Sequence, residues 1–297
     1  MDQVRYNAIW RKTTETRMIM KNPLLKTMKV GFVGAGNMTQ ALVKGMVESK
    51  DFRSDNILVS NRTEGKLIKL ADQYKIQTRS HNQEVVNECD IVVLAMKPQD
   101  FATALEGLTN LFRENQIVIS LAAGINFQAL QKFVPQGRLV RLMPNTPSLI
   151  GHGVIGYMSQ DDEEDFVSSL MQDMFGNLGS VIRCETEDQF DALMISCSSG
   201  TGFVFEMMMY WQDWIEEHGF SPEIARKMTI ETFLGASMLA AQSNGIEVEE
   251  LQSRVTSKKG VTAAGLQSMR EMEIERTLRI SFEKAAMRSK EIMRSMK

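Results

Sequence analysis

The sequence predicts an α/β doubly wound parallel sheet followed by an all-α domain. From Met28 onward, short runs of Val, Ile and Leu alternate with amphipathic helical patterns, and glycines follow the first of these runs. After about Glu187 the strand-like runs stop and only helical patterns remain. Continuous apolar strands joined by helices are typical of a parallel sheet that is covered on both faces. We therefore expect one domain over 28–187 and an all-helical domain over 188–297.

The composition is that of an ordinary globular protein, with 297 residues, 43% hydrophobic and 24% charged. These values exclude a disordered, fibrous or disulfide-stapled chain. A net charge of −3 provides no general attraction to nucleic acid or anionic lipid. No window reaches the ~20 uncharged apolar residues that would span a bilayer, so no membrane contact is expected. Three scattered cysteines predict no metal site and, without a signal peptide, a cytoplasmic location.

The elements are expected in the following order. Residues 1–27 are rich in basic side chains and lack apolar periodicity, so we expect a disordered extension, with a transit peptide as the alternative. The first apolar strand runs into the glycines, and a helical pattern follows them. Further strands are expected at 57–60, 90–95, 117–120 and 139–143, with helices at 64–74, 101–112 and 127–134. In the second domain, helices are expected at 188–196, 203–218, 222–242 and 263–296.

The glycine loop is the first chemical signal. Gly34 and Gly36 lie between the first strand and a helix, where Gly34 permits a tight turn and Gly36 lets the backbone approach a pyrophosphate. The context favours a Rossmann-type dinucleotide site over a glycine turn that serves only strand–helix packing. Thr39 stands at the third small position of this motif, which is expected to loosen the packing slightly.

The end of the second strand predicts the choice of dinucleotide. NAD-specific sites usually carry a carboxylate there to hold the ribose 2′-hydroxyl. Residues 60–63 contain none, and Arg62 is able to pair with a 2′-phosphate. We expect NADP(H), with NADH at lower affinity; the alternative for Arg62 is a solvated side chain at a helix start.

Four loops complete the candidate site. Segments 95–98, 121–124 and 143–147 each end a strand at the carboxyl edge of the sheet, where ligands bind in open α/β folds. Together they suggest a wall beside the nicotinamide. Segment 255–262 precedes a long helix, and its hydroxyls and free N–H groups suit a small carboxylate, although simple helix capping explains the segment equally well.

These motifs resemble the pyrroline-5-carboxylate reductase family. The resemblance spans about 28–295 and is carried by Gly-Phe-Val-Gly-Ala-Gly-Asn-Met (31–38), Ala-x-Lys-Pro-Gln (95–99), Ala-Ala-Gly (122–124), Met-Pro-Asn-Thr-Pro (143–147), Thr-Ala-Ala-Gly-Leu (262–266) and Arg-Ser-Lys-Glu (288–291). It implies reduction of the cyclic imine 1-pyrroline-5-carboxylate to L-proline with NAD(P)H. It also implies a Rossmann domain, a helical domain that forms a homodimer or higher homo-oligomer, and a substrate held between them.

The resemblance also assigns residues. It implies that the cofactor is bound by Gly34, Ala35, Gly36, Asn37, Met38, Ser60, Asn61, Arg62, Asn82, Ala95, Met96, Lys97, Pro98, Ala123 and Asn145. It implies that the substrate is bound by Ser257, Gly260, Val261 and Thr262, with the Thr262 hydroxyl as hydrogen-bond donor to the ring nitrogen. That donor suits hydride addition to a carbon–nitrogen double bond, since charge develops on nitrogen.

Two segments depart from the family pattern where substrate should bind. The family's Ser-Pro-Gly-Gly-Thr is Ser-Lys-Lys-Gly-Val at 257–261, and its Ser-Gly-Ser-Gly-Pro-Ala is Cys-Ser-Ser-Gly-Thr-Gly at 197–202. Lys258 and Lys259 either attract the substrate carboxylate or are merely solvated. Two further hypotheses therefore stay open, namely a paralogue that reduces another small cyclic imine or keto acid, and a catalytically silent NADP-binding regulator.

Overall fold

The computed structural model describes residues 23–160 and 165–294. The chain divides into two compact units, one that comprises the residues up to Phe190 and those from Met293 onward, and one formed by Asp191–Ile292. The expected disordered extension lies mostly outside the described residues, but its last part does not behave as expected. Pro23–Lys26 form a 3-10 turn, and Leu25 is 1% exposed in the core of the first unit. The folded chain thus includes residues before Met28, because Leu25 has apolar surface to bury there.

The first unit contains one eight-stranded sheet with the order β3-β2-β1-β4-β5-β6-β7-β8. Its strands are β1 Val30–Val33, β2 Ile57–Ser60, β3 Gln77–Arg79, β4 Ile91–Leu94, β5 Ile117–Ser120, β6 Arg138–Met143, β7 Gly153–Ser159 and β8 Gly179–Arg183. Strands β1 to β6 are parallel, and β1 lies between β2 and β4 with Val33 opposite Ser60 and Leu94. The expected α/β doubly wound sheet is confirmed for these six strands.

The far edge of the sheet departs from the expected all-parallel arrangement. Strand β7 runs antiparallel to β6, and β8 runs parallel to β7. The connection between β6 and β7 holds only a 3-10 turn, Thr146–Ile150, which is too short for the crossover that a parallel neighbour needs. Neither β7, β8 nor the polar β3 was expected from the sequence, because none is a continuous apolar run.

Helices cover both faces of this sheet. They are α1 Asn37–Ser49, α2 Glu64–Tyr74, α3 Asn82–Glu88, α4 Phe101–Ala104, α5 Phe127–Phe133 and α6 Phe166–Phe175. Side chains of α1, α2 and α6 share one buried cluster, and those of α3, α4 and α5 share the other. Alternate strand residues enter the two clusters, as Phe32 and Val33 do. The expected helix at 101–112 is broken, since Gly107 adopts a φ of +73° and a 3-10 turn follows at Thr109–Leu111.

The second unit is helical. Its chain contains α8 Gly200–Glu217, α9 Pro222–Gln242, α10 Val248–Arg254, α11 Val261–Glu271 and α12 Ile274–Arg294, and α7 Glu187–Leu193 leads into it. Helix α10 was not expected. The expected helix over 263–296 is divided between α11 and α12, where Glu273 adopts a φ of +50°.

A π-helical segment, Met194–Ser199, joins α7 to α8, so that two helices expected to be separate form one stretch. This stretch, Glu187–Glu217, is long and apolar enough to cross a membrane by length and composition. The sequence expectation concerned ~20 apolar residues without charge, and Glu206 interrupts this stretch, so the expectation is not contradicted. The helices expected at 188–196 and 203–218 are parts of this single stretch.

Candidate functional site

The glycine loop at 34–36 follows β1 and leads into α1. Gly34 has a φ of +111°, and a Cβ atom there would lie 2.7 Å from the Ala95 carbonyl oxygen. The fold itself therefore requires a glycine at this position. Gly36 is the N-cap of α1 with a φ of −76°, and a Cβ atom there would meet nothing within 4 Å. Packing within the protein therefore does not require a glycine at position 36. Close approach of a ligand to the backbone is the remaining reason for a glycine there.

Thr39 strengthens the loop that it was expected to loosen. Its side chain is buried, and its hydroxyl donates a 2.8 Å hydrogen bond to the Gly34 carbonyl oxygen. The threonine therefore ties the first turn of α1 back to the glycine turn, because the hydroxyl supplies a donor that glycine or alanine lacks.

Two amides of the glycine loop form hydrogen bonds within the protein, and those that follow lie at the N-terminus of α1. The Gly34 amide donates to the Ser60 carbonyl oxygen at 2.8 Å, and the buried Ala35 donates its amide to Asn61 Oδ1 at 3.2 Å. The first intrahelical bond of α1 runs from the Gln40 amide to the Gly36 oxygen. The first-turn N–H groups that precede it, including those of Asn37 and Met38, are the ones that can meet an anion. The Met38 side chain instead packs against the core.

The end of β2 contains a correction to the expected cofactor contacts. Ser60 is fully buried, and its hydroxyl donates to Asn82 Oδ1 at 2.8 Å. The Asn82 amide nitrogen in turn donates to the Ala104 carbonyl oxygen at 2.9 Å. Ser60 therefore positions Asn82 and has no surface with which to face an adenosine. The sequence placed Ser60 correctly at the strand end but could not show that its side chain points into the fold.

Arg62 has a neighbour that sequence reasoning missed. Its side chain is 85% exposed, and its Nη2 lies 3.6 Å from Oδ1 of Asp100, in the 3-10 turn Pro98–Asp100. The absence of a carboxylate from 60–63 therefore does not leave Arg62 without one. Local sequence patterns could not reveal this pair, because it joins the loops after β2 and β4, which are far apart in the chain.

The other expected cofactor loops follow adjacent strands. Segments 95–98, 121–124 and 143–147 come directly after β4, β5 and β6, which are neighbours in the sheet. Lys97 is exposed, and Ala95, Met96, Pro98 and Ala123 are partly buried. Asn145 is buried, and its Oδ1 accepts a 2.9 Å hydrogen bond from the Val154 amide. This carboxamide therefore holds its loop to β7, a structural role that the sequence did not predict.

Arg141 is a second residue that sequence reasoning missed. It lies in β6 with 1% exposure, forms an ion pair with Glu187, and its guanidinium carbon lies 4.2 Å from the centroid of the Phe190 ring. Both partners belong to α7, so one buried cation fixes the start of that helix on the sheet. Within the described ranges Nε and Nη2 of Arg141 have no hydrogen-bond partner. The visible signal was an arginine in the apolar run Leu-Val-Arg-Leu-Met.

The expected substrate residues lie together at the start of α11. Gly260 is its N-cap, and the first intrahelical bond runs from the Ala264 amide to the Gly260 oxygen. The N–H groups of Val261, Thr262 and Ala263 precede that bond and point out of the helix end. Thr262 is exposed, and among the described residues no hydrogen bond reaches its hydroxyl.

The loop before α11 is built closely around Gly260. A Cβ atom on Gly260 would lie 2.2 Å from Ser257 Oγ, so glycine is what lets the hydroxyl of Ser257 approach. Lys259 adopts a φ of +58°, the left-handed conformation in which glycine is favoured. The structure thus keeps a glycine-type turn at a position where the sequence has lysine. Ser257 and Thr262 belong to the second unit, and the cofactor loops belong to the first.

Cys89 and Cys197 lie in different surroundings. Burial raises the pKa of the Cys89 thiol to about 12, which keeps it protonated and inert. Cys197 is partly buried in the π-helical segment, where its carbonyl oxygen accepts a bond from the Thr201 hydroxyl. Single π-helical turns are frequent at functional sites, and this one coincides with the second segment that departs from the family pattern.

Two family profiles match the chain. Residues 29–124 match a family described as NADP oxidoreductase, coenzyme F420-dependent, and residues 187–292 match pyrroline-5-carboxylate reductase dimerisation. The chain is also 32% identical over 277 residues to pyrroline-5-carboxylate reductase 1 of Bacillus spizizenii, an alignment that covers 91% of each chain. The chain belongs to the pyrroline-5-carboxylate reductase family. The expected family is thereby confirmed.

Solved structures of the pyrroline-5-carboxylate reductase family agree with this assignment. A pyrroline-5-carboxylate reductase from Coxiella burnetii is 29% identical, with a TM-score of 0.83 over 90% of this chain and 98% of that one. A Plasmodium falciparum pyrroline carboxylate reductase, solved with NADP bound, has the same fold. It is 24% identical, with a TM-score of 0.80 over 91% and 99% of the two chains. The expected helical dimerisation region corresponds to the second profile, which begins at α7 and ends within α12.

Proposed function

We propose that this protein reduces 1-pyrroline-5-carboxylate to L-proline with NADPH, the last step of proline biosynthesis. The observation that carries the proposal is the match to pyrroline-5-carboxylate reductases over nine-tenths of the chain, with Thr262 retained at the start of α11. Hydride transfer to the imine carbon needs no side-chain general acid when the substrate is a cyclic iminium that brings its own proton. The enzyme then supplies position and electrostatic stabilisation.

The first unit fits a dinucleotide. Open space beside Gly36 and the free first-turn N–H groups of α1 suit a pyrophosphate, and the exposed Arg62 guanidinium suits a 2′-phosphate. NADPH, when bound, supplies the hydride. The residues that we propose to contact it are Gly34, Ala35, Gly36, Asn37, Met38, Asn61, Arg62, Asn82, Ala95, Met96, Lys97, Pro98 and Ala123. Ser60 and Asn145, both buried, are proposed to position Asn82 and the loop after β6.

The second unit fits a small carboxylate and an imine nitrogen. The free N–H groups of Val261, Thr262 and Ala263 lie at the positive end of the α11 dipole, and Ser257 and Gly260 border them. We propose that these groups hold the substrate carboxylate. The Thr262 hydroxyl donates a hydrogen bond to the lone pair that forms on the ring nitrogen as the hydride adds to the neighbouring carbon of the iminium.

The loop at 257–261 favours a second candidate function. Its two lysines add positive charge beside the proposed carboxylate site, and Lys259 holds its left-handed conformation without being a glycine. A pocket built by such a loop need not have the family's shape. The second candidate is therefore reduction of another small cyclic imine by the same residues.

Assembly into a homodimer is proposed from the apolar surface of the second unit. Large apolar side chains are exposed along α8 and α9, among them Phe205, Tyr210, Trp211, Trp214 and Ile224. Exposed apolar surface on this scale is typical of interfaces, and the dimerisation profile covers these helices. It also covers the stretch Glu187–Glu217 that is long enough to span a membrane. We propose that a second copy, rather than lipid, covers this surface in a cytoplasmic enzyme. The proposed domains remain 28–187 and 188–297, with the first extended to include Leu25.

The experiment that tests the activity is a spectroscopic assay of reduced nicotinamide oxidation. Purified protein is mixed with racemic 1-pyrroline-5-carboxylate and NADPH, with NADH in parallel, and L-proline is identified in the product. Turnover with NADPH supports the proposal. NADPH binding without turnover of this substrate, but with turnover of another cyclic imine from a panel, supports the second candidate. NADPH binding without turnover of any imine supports a catalytically silent regulator.

Light scattering coupled to gel filtration, without detergent, tests the assembly. A dimer or larger homo-oligomer is expected. A protein that stays monomeric, or that leaves solution unless detergent is present, contradicts burial of α8 and α9 against a second copy.

A further inference from the structure

The ion pair between Arg62 and Asp100 crosses the glycine loop. Arg62 follows β2 and Asp100 lies in the turn after β4, while β1 runs between those two strands. The loop at 34–36 follows β1, so its two flanking loops are joined by a contact of 3.6 Å between Arg62 Nη2 and Asp100 Oδ1. A dinucleotide that approaches the N-terminus of α1 therefore meets this pair.

Asp100 has no evident role in holding the fold together. Its side chain is 37% exposed, it is the N-cap residue of α4 without a side-chain capping bond, and among the described residues no hydrogen bond reaches its carboxylate. The turn that contains it is held instead by a 2.9 Å bond from the Asp100 amide to the Lys97 carbonyl oxygen. An isosteric change to asparagine therefore removes the charge and leaves the backbone bond in place.

We propose that Asp100 is a specificity-determining residue that competes with the 2′-phosphate for Arg62 and so narrows the preference for NADPH over NADH. This inference rests on the proposed function of Arg62. NADPH has to displace the Asp100 carboxylate from Arg62 before its 2′-phosphate can pair there, and loss of that ion pair reduces the net electrostatic gain on binding. NADH carries no 2′-phosphate and leaves the pair intact. Asp100 thus acts on one cofactor and not on the other.

The test compares dissociation constants of NADPH and NADH for the full-length protein and for Asp100→Asn. Quenching of protein fluorescence at low ionic strength reports binding without requiring turnover. The matched control is Asp55→Asn, which removes the same charge from another exposed ion pair, with Arg53, at the start of β2. Asp100→Asn is expected to lower the NADPH dissociation constant about 2- to 5-fold, the factor typical of an exposed ion pair, with NADH changed by less.

Three results together support this inference. Asp100→Asn binds NADPH more tightly than the unmodified protein, and Asp55→Asn does not. When Arg62→Ala is already present, adding Asp100→Asn no longer tightens NADPH binding. Unchanged or weaker NADPH binding by Asp100→Asn overturns it. Equal tightening of NADPH and NADH, or an effect that persists in Arg62→Ala, also overturns it, since neither involves competition for Arg62. If the unmodified protein binds neither dinucleotide, the proposed function itself has failed, which is a different outcome.

Discussion

Replacement of Gly36 by alanine tests whether this glycine serves the stability of the fold or the binding of a ligand. A methyl group at this position meets no protein atom within 4 Å, and the φ of −76° is open to any residue. Alanine reduces the freedom of the unfolded chain, a gain of about 0.4–1 kcal/mol. It is also a poorer N-cap than glycine, a loss of similar size. The free energy of unfolding is therefore expected to change by less than about 0.5 kcal/mol.

The effect on NADPH is expected to be much larger. If the pyrophosphate approaches the backbone at Gly36, a methyl group fills space that the ligand needs. Forcing an extra methyl group into an occupied site costs about 1–3 kcal/mol, which weakens binding by about 5- to 150-fold. The substitution should therefore raise the NADPH dissociation constant strongly while the unfolding curve stays where it is.

The assay combines fluorescence titration with NADPH and urea unfolding of the same preparation. Gly34→Ala is the contrasting variant, because its φ of +111° and its 2.7 Å approach to the Ala95 oxygen oppose any side chain. It should lower the free energy of unfolding by about 1–3 kcal/mol even without NADPH. If Gly36→Ala binds NADPH within twofold of the unmodified protein, the pyrophosphate does not approach Gly36 and the proposed cofactor site is wrong.

Three further predictions concern Thr262 and Lys259 in the second unit and Cys89 in the first. Thr262→Val should retain NADPH affinity but lower kcat/KM about 5- to 150-fold through loss of a hydrogen bond of about 1–3 kcal/mol, and unchanged turnover would refute the role of this hydroxyl. Lys259→Gly should raise the free energy of unfolding by about 1 kcal/mol because it relieves the left-handed conformation, whereas Lys258→Gly, whose φ is not positive, should lower it; equal effects would contradict this. Burial raises the pKa of the Cys89 thiol to about 12, so this residue's contribution to stability is complete below the ordinary thiol pKa of about 8.5 and declines as pH rises toward 12. Cys89→Ser should therefore remove that decline from the pH dependence of the free energy of unfolding, measured in urea. An identical pH profile for the variant and the unmodified protein would contradict this prediction.

Most of the first unit could be predicted because its strands are buried on both faces. Strands β2 and β5 and helix α2 have the expected bounds, since an apolar run between turn residues has few alternatives. Strand β3, by contrast, is the polar triplet Gln77–Arg79 and exists only because β2 offers it an edge. The helix expected at 101–112 ends at Ala104, and Gly107, which lies beyond that end, adopts a left-handed conformation.

The candidate site could be located from the sequence, but the direction of its side chains could not. The glycine loop, the α11 N-terminus and the three loops at the carboxyl edge of the sheet follow from motif and strand order. Ser60 and Asn145 are buried and form hydrogen bonds to neighbouring groups, a supporting role that the sequence did not predict. A hydrogen-bonding side chain suits both roles equally, and only the surrounding atoms decide between them.

The sequence by itself determined the α/β-then-α organisation, the family and the position of the glycine loop, because each depends on short segments whose residues are neighbours along the chain. The tertiary structure decided what depends on residues far apart in the chain. It pairs Arg62 with Asp100 across β1, seats Arg141 against α7, and turns β7 antiparallel to β6. It also joins two expected helices into the single stretch Glu187–Glu217. Such contacts have no local pattern, since the energy that selects them comes from burial and charge pairing in the folded chain.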